Sequence, residues 1–285
     1  MHVSTGYTLT HRFKTPIEAR SSFDWGSQSG MEYFKDLEFD LPSALLAQLV
    51  DLFGCMKPGP LNEEAVLSVP EGQGVYQLLF NGELVYVGKT DAKDGLRQRL
   101  LRHAKKICFR RNLHQSQVTF KAIRVYVFTP MDLEDLLIKH YHECRIPLAW
   151  NLSGFGSNDP GRKRDHSEIK AIHFDSMYPI DLDCEASVSP AEDGCSVAEV
   201  LMRLKEQLAY TIRFQNKGGR SREPHSDLKL AMVRLHSGRH SVLSILRQVK
   251  KALGEEWQIT ALPGYVIIYR ERATYSHGTI IEAAE

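Results

Sequence analysis

Six side chains between residues 76 and 151 are of the kinds that handle phosphate, protons and hard cations: Tyr76, Tyr86, Arg99, His103, Glu134 and Asn151. A phenol or an imidazole can take a proton from water. A guanidinium stabilises charge on phosphoryl oxygens. A carboxylate holds a hard cation, which in turn polarises a phosphate and its leaving oxygen. Together they form the inventory that phosphodiester hydrolysis requires, provided the fold brings them to one place.

The elements that must do so are legible in part. "GVYQLLFNGELVYVGKT" (74–90) reads as a hairpin turning at Asn81-Gly82. Two registers are open. A two-residue loop pairs Phe80 with Glu83 and puts the phenols of Tyr76 and Tyr86 on opposite faces. A three-residue loop, with Gly82 in the left-handed position of a bulge, pairs Leu79 with Glu83 and sets Tyr76 directly across from Tyr86. The second is adopted, because cross-strand partners share a face and the two phenols then stand side by side. A helix is expected from about Gly95 to Arg110, with Leu96, Leu100, Leu101 and Ala104 as its buried stripe. Arg99 and His103 are four apart on its polar face. A strand follows near "VTFKAIRVYVF". A helix at "MDLEDLLIKHYHEC" buries Leu133, Leu136, Leu137 and Tyr141, and sets Glu134 beside that stripe, where a carboxylate needs a partner or a metal if buried. Asn151, after Trp150, is placed to brace a loop.

Composition sets the class. Hydrophobic residues make up 42% and charged residues 25% of 285 residues, the balance of a globular protein with a sizeable core. No apolar run reaches the ~18 residues that span a bilayer, and "MHVSTGYTLTHRF" lacks the apolar stretch of a signal peptide. A soluble, cytoplasmic protein with no membrane partner is therefore expected. The five cysteines lie at wide spacings with no Cys-x-x-Cys pair, which argues for reduced thiols rather than a disulfide framework or structural zinc. Net charge is only +1, but the interval from Gly95 to Met131 holds nine Lys or Arg and no Asp or Glu. Such a one-signed run suits a polyanion.

"GVY", nine residues, "YVG", then Arg99-x-x-x-His103, "LEDLLIKH" and Trp150-Asn151 resemble the GIY-YIG nuclease superfamily over residues 70–155. The tripeptides match with Val75 and Val87 standing for Ile. The resemblance implies a catalytic set of Tyr76, Tyr86, Arg99, His103, Glu134 and Asn151, with Glu134 binding one Mg2+. It implies the first tyrosine as base, His103 and the second tyrosine assisting, and Arg99 on the phosphate. Glu143 is the rival ligand if "YHECRIPLA" holds an insertion; the "LEDLLIK" context favours Glu134. "LSGFGSNDPGRKRD" further resembles the segment after the catalytic Asn in GIY-YIG type II restriction endonucleases of the SacII-isoschizomer type, which act as dimers on the palindrome CCGCGG.

That resemblance implies double-stranded DNA as substrate, a homodimer on it, and a cognate DNA methyltransferase in the same restriction-modification system. Lys89, Arg102, Lys106, Arg162, Lys163 and Arg164 are the side chains expected on the DNA backbone. "GFGSNDPG" lacks the Gly-Lys-Ser/Thr ending and preceding strand of a phosphate loop, which argues against nucleotide binding there. The alternative is a structure-selective repair or recombination nuclease with the same core. A DNA-binding module that no longer cuts is the third reading, and the intact Tyr76, Arg99, His103 and Glu134 argue against it.

The expected fold class is α+β. A small core, an antiparallel hairpin plus a further strand flanked by helices, spans 70–184. An N-terminal extension (1–69) packs on it. It has no clear period before about residue 30, then a helical stripe of Leu45, Leu46, Leu49, Val50 and Phe53. A C-terminal extension (185–285) follows the boundary near "EASVSPAEDG". It contains helices through Val197–Leu208 and "SVLSILRQVKKAL", then a hairpin turning at Pro263-Gly264, for dimerisation, packing or DNA binding in the manner of a winged helix.

Overall fold

Asn81 and Gly82 both have left-handed backbone, with φ of 51° and 86°. Two successive positive φ values make the turn whose twist suits a two-residue hairpin loop. Around this turn the computed structural model describes residues 33, 39–91, 93–126, 132–156, 161–188, 194–218, 221–236 and 238–284. Residues up to Leu41 group as one unit and Pro42–Glu285 as another. The N-terminal extension before residue 33 lies outside the described residues.

The elements run in this order: α1 (Leu41–Cys55), β1 (Gly59–Pro60), α2 (Glu63–Leu67), β2 (Gly74–Phe80), β3 (Glu83–Thr90), α3 (Gly95–Cys108), β4 (Val118–Arg124), α4 (Leu133–Glu143) and α5 (Phe174–Met177). They continue with β5 (Glu185–Val188), β6 (Cys195–Ser196), α6 (Val197–Gln207), β7 (Thr211–Phe214), α7 (Ser226–Leu230), β8 (Met232–Val233), β9 (Gly238–Ser241), α8 (Val242–Leu253), β10 (Gln258–Ala261), β11 (Tyr265–Tyr269) and β12 (Thr279–Ile280). Among the described residues no helix is long and apolar enough to cross a membrane.

The first sheet is wholly antiparallel, in the order β1-β4-β2-β3. Its alternation sorts side chains to two faces. Tyr76, Leu78 and Tyr86 pack with Leu96, Leu100, Ala104 and Ile107 of α3 on one side. Val75 and Val87 pack with Leu49 and Phe53 of α1 and with Leu133, Leu137 and Tyr141 of α4 on the other. Tyr76, Tyr86, Arg99, His103 and Glu134 thus sit on strands and helices around a two-sided core, and Asn151 in the turn that follows.

The hairpin register corrects the expectation. Phe80 pairs with Glu83 and Leu79 with Leu84, so the loop has two residues, not three. The register then shifts: Leu78 faces Tyr86 and Tyr76 faces Gly88, leaving Val85 as the extra residue of a bulge. Val85 and Tyr86 both turn into the same core. The bulge therefore returns Tyr86 to the face of Tyr76, which a plain two-residue loop would deny it. The phenols share a face as diagonal neighbours, with ring centroids 6.0 Å apart.

The second sheet has the order β12-β10-β11-β7, with β7 and β11 parallel and the rest antiparallel. The hairpin at Pro263-Gly264 is its centre, flanked on both sides, so it is not a projecting wing. α6 and α8 supply the apolar faces that cover it, through Leu201, Leu204, Ile245 and Val249. The cores of the two sheets meet between Tyr178, which belongs to the first, and Ile180, which belongs to the second. Buried Asp165 ties the parts together, accepting from Arg213 at 2.8 Å and from the Tyr265 hydroxyl at 2.8 Å.

Candidate active site

α3 places Arg99 and His103 one turn apart over β2. There the Tyr76 hydroxyl lies 2.7 Å from His103 Nε2, and Arg99 Nε donates to the same hydroxyl at a longer 3.4 Å. Burial, then the repulsion of Arg99, Lys106 and Arg102, hold the His103 pKa well below its ordinary value. The imidazole is therefore neutral at pH 7, and Nε2 and the Tyr76 hydroxyl share one hydrogen bond whose direction follows the imidazole tautomer. Burial and the neighbouring Tyr86 raise the Tyr76 pKa, while Arg99 opposes them. The result is a phenol whose oxygen faces both an imidazole nitrogen and a guanidinium.

The glycines around the tyrosines have a steric reason. A Cβ on Gly88, directly across from Tyr76, would fall 2.4 Å from the Tyr76 hydroxyl. A Cβ on Gly156 would fall 2.7 Å from the hydroxyl of Tyr86. Phe155 stacks on His103 with centroids 4.7 Å apart and meets Tyr86 edge-on. Neither Phe155 nor Gly156 was assigned a role from the sequence; the glycine on each side of Phe155 was the available signal.

Tyr86, Arg99, Glu134 and Asn151 open together onto one cavity of about 530 Å3, joined by Leu152, Gly154 and Gly156. Tyr76, with no exposed surface, and His103, at 4%, lie behind it. The phenol that faces the cavity is therefore the second one, not the first. The Tyr86 pKa is raised by burial and by Glu134, and lowered by Arg99 and Tyr76.

Glu134 reaches the cavity from the first turn of α4, whose N-cap Asp132 accepts from the Glu134 and Asp135 amides. Burial raises the Glu134 pKa against the pull of Lys89. A half-desolvated carboxylate beside the Tyr86 phenol is a donor that a hard cation would relieve, and Mg2+ needs only one or two protein carboxylates because it keeps several waters. Among the described residues no group of three or more His, Cys, Asp or Glu is gathered as a metal cage. Glu143 is exposed at the far end of α4 and does not line the cavity.

Asn151 braces a strand. Its Oδ1 accepts from Val87 N at 2.9 Å and its Nδ2 donates to Val87 O at 2.8 Å, while Trp150 N donates to Val85 O at 2.9 Å. β3 is the edge of the sheet, so these two residues stand in for a missing neighbour strand and hold the bulge. Asn151→Ala leaves both Val87 groups without that partner and should cost about 1–3 kcal/mol. Asn151→Asp should be no milder, since its carboxylate faces the Val87 carbonyl. Denaturant midpoints check both, and variants indistinguishable from the parent would remove the bracing role. No protein-family model matches this chain, and no curated protein matches it.

The basic side chains expected on DNA are not equally free. Lys89 pairs with Asp132, and Arg102 with Asp94. Arg162 pairs with Glu271 at 2.8 Å and lies over the Tyr269 ring at 4.2 Å. Lys106 is half-buried and donates to the Phe155 carbonyl. Lys163 and Arg164 are exposed in a short helical turn after Gly161 and have no acidic partner among the described residues. Residues 157–160 of the glycine-rich loop lie outside the described residues.

Proposed function

We propose that this chain is a magnesium-dependent DNA endonuclease, and within that class a type II restriction enzyme acting as a homodimer on a short palindrome such as CCGCGG. One observation carries the reading. A guanidinium, two phenols and a neutral imidazole form a connected group whose open end shares a cavity with one carboxylate among the described residues, Glu134. The motif order that resembles the GIY-YIG superfamily coincides with this spatial grouping.

Bound at Glu134, Mg2+ would supply Lewis-acid polarisation of the phosphate and its leaving oxygen. The remaining work falls to the chain. Arg99 faces the cavity and is placed to neutralise charge on the non-bridging oxygens. Tyr86 is the phenol that lines the cavity, so the attacking water's proton passes to it while its own hydroxyl proton moves toward Tyr76 and the neutral imidazole of His103 behind it. Asn151 positions β3 and does no chemistry. One such site cuts one strand, and a two-fold dimer matches the two equivalent phosphates of a palindrome.

The structure-selective nuclease remains the second reading, because the same core would serve it. Plasmid digestion separates the two. The full-length chain with Mg2+ should convert supercoiled plasmid to a few discrete linear fragments, and should do so only with the metal. Cleavage confined to flaps, junctions or lesions would favour the second reading. No cleavage of any DNA would end both.

A further inference from the structure

A second cavity, of about 550 Å3, adjoins the first: Leu152 and Gly154 line both. That volume lies within the ~300–1,000 Å3 of small-molecule sites. Among its charged side chains cations outnumber acids, with Lys106, Arg110, Arg164 and Lys170 against Glu168 and Asp175. Both acids are already engaged, Asp175 by Arg110 at 2.7 Å and Glu168 by His277 at 2.9 Å. Arg164 and Lys170 have no acidic partner among the described residues. Burial also pushes the Lys106 pKa down to about 8 against the pull of Asp175, with Arg110 and Arg99 adding to the fall. Tyr210 and Tyr265 add two aromatic side chains to this wall.

Leu152 stands on the ridge between the two cavities and is 78% exposed. The turn that carries it is not slack. Asn151 is fixed to Val87, Ser153 Oγ donates to Trp150 O at 3.1 Å, and Phe174 N donates to Ser153 O at 2.7 Å. A rigidly held, exposed leucine beside a nucleic-acid site is suited to wedge between base steps.

From this juxtaposition we infer that the second cavity receives one unstacked nucleotide of the strand being cut. Leu152 prises it from the stack, and Lys170 and Arg164 meet its phosphate. The inference rests on the nuclease reading above and adds to it a specific subsite. Extrusion costs unstacking and unpairing energy, least for a base that has no proper partner.

The test uses the full chain carrying Glu134→Gln, so that DNA is bound without being cut, and a duplex spanning the sequence that the parent chain cuts in plasmid. A single abasic position is walked along each strand. At one position beside the scissile bond the affinity should rise about tenfold or more, and elsewhere it should stay flat or fall. Adding Leu152→Ala should weaken binding to the intact duplex by about tenfold while leaving the abasic duplex within about twofold, because the wedge is needed only where a stack must be broken. A walk with no favoured position, or a Leu152→Ala chain that treats both duplexes alike, overturns the inference while the parent's plasmid cleavage stands. A parent chain that cuts no DNA overturns the nuclease reading and this inference together.

Discussion

Arg99→Ala should slow DNA cleavage by about 10²–10³, the usual consequence of removing one charge-stabilising donor, while DNA affinity changes little. Arg99 is half-buried, donates to the Tyr76 hydroxyl, and lines the cavity with Tyr86 and Glu134. Its removal withdraws the one guanidinium among the described residues of that cavity and depolarises the phenol pair. Arg99→Lys should recover only part of the rate, because an ammonium lacks the planar fork that meets two oxygens at once. A readout independent of rate is available at His103. Arg99 is the first of the three cations that, after burial, hold the imidazole pKa down. Without it the folded-state pKa should move up toward the ordinary value, so His103 protonates at higher pH than in the parent. Single-turnover cleavage and imidazole resonances followed through pH check the two effects. An Arg99→Ala chain that cuts at the parental rate removes Arg99 from the reaction.

The parts of this site that were legible in the sequence are those set by short-range rules. Arg99 and His103 fall on one helix face because they are four apart, and Leu96, Leu100 and Ala104 are buried as their spacing requires. Leu133, Leu137 and Tyr141 do the same for α4, with Asp132 capping the start and so fixing where Glu134 points. Asn81-Gly82 marked the turn correctly. The loop length came out wrong because the bulge at Val85 is not a property of the hairpin. The Val85 carbonyl is taken by the Trp150 amide, and Asn151 holds Val87. Local propensity cannot report a strand edge completed by residues so far along the chain.

The same limit explains the other differences. Which phenol meets solvent depends on Phe155 and Gly156 folding over β3, and the "GFG" run does not say where it will pack. Arg162 looks free within "GRKRD", yet its partner Glu271 arrives from beyond β11. Lys106 reads as one more cation of a basic helix, but the turn at Phe155 covers it. The pattern of charge along a chain gives the sign of a surface; tertiary packing decides which charges remain available to a ligand. By that criterion Lys163, Arg164 and Lys170 are better candidates for phosphate than Lys89, Arg102 or Arg162.

Glu134→Gln should bind DNA and fail to cut it, even in excess Mg2+. The substitution keeps the shape of the side chain and the first turn of α4, where Asp132 continues to accept from the amides of residues 134 and 135. What it removes is the only carboxylate among the described residues lining the cavity. A hard cation favours charged oxygen donors, and an amide oxygen is a poor replacement when it is the sole protein ligand. Affinity should hold or rise, because a carboxylate near a phosphate repels it in the absence of a bridging cation. The Tyr86 pKa, raised in part by the Glu134 charge, should fall in the variant. That shift gives a spectroscopic check by phenol titration that does not depend on turnover. Glu143→Gln is the matched control on the same helix: exposed and away from the cavity, it should cut at the parental rate. A gel-shift and a cleavage time course on both variants decide between the two glutamates. Activity lost in Glu143→Gln and kept in Glu134→Gln would move the metal site to the other end of α4, and would separate it from Tyr86 and Arg99 altogether.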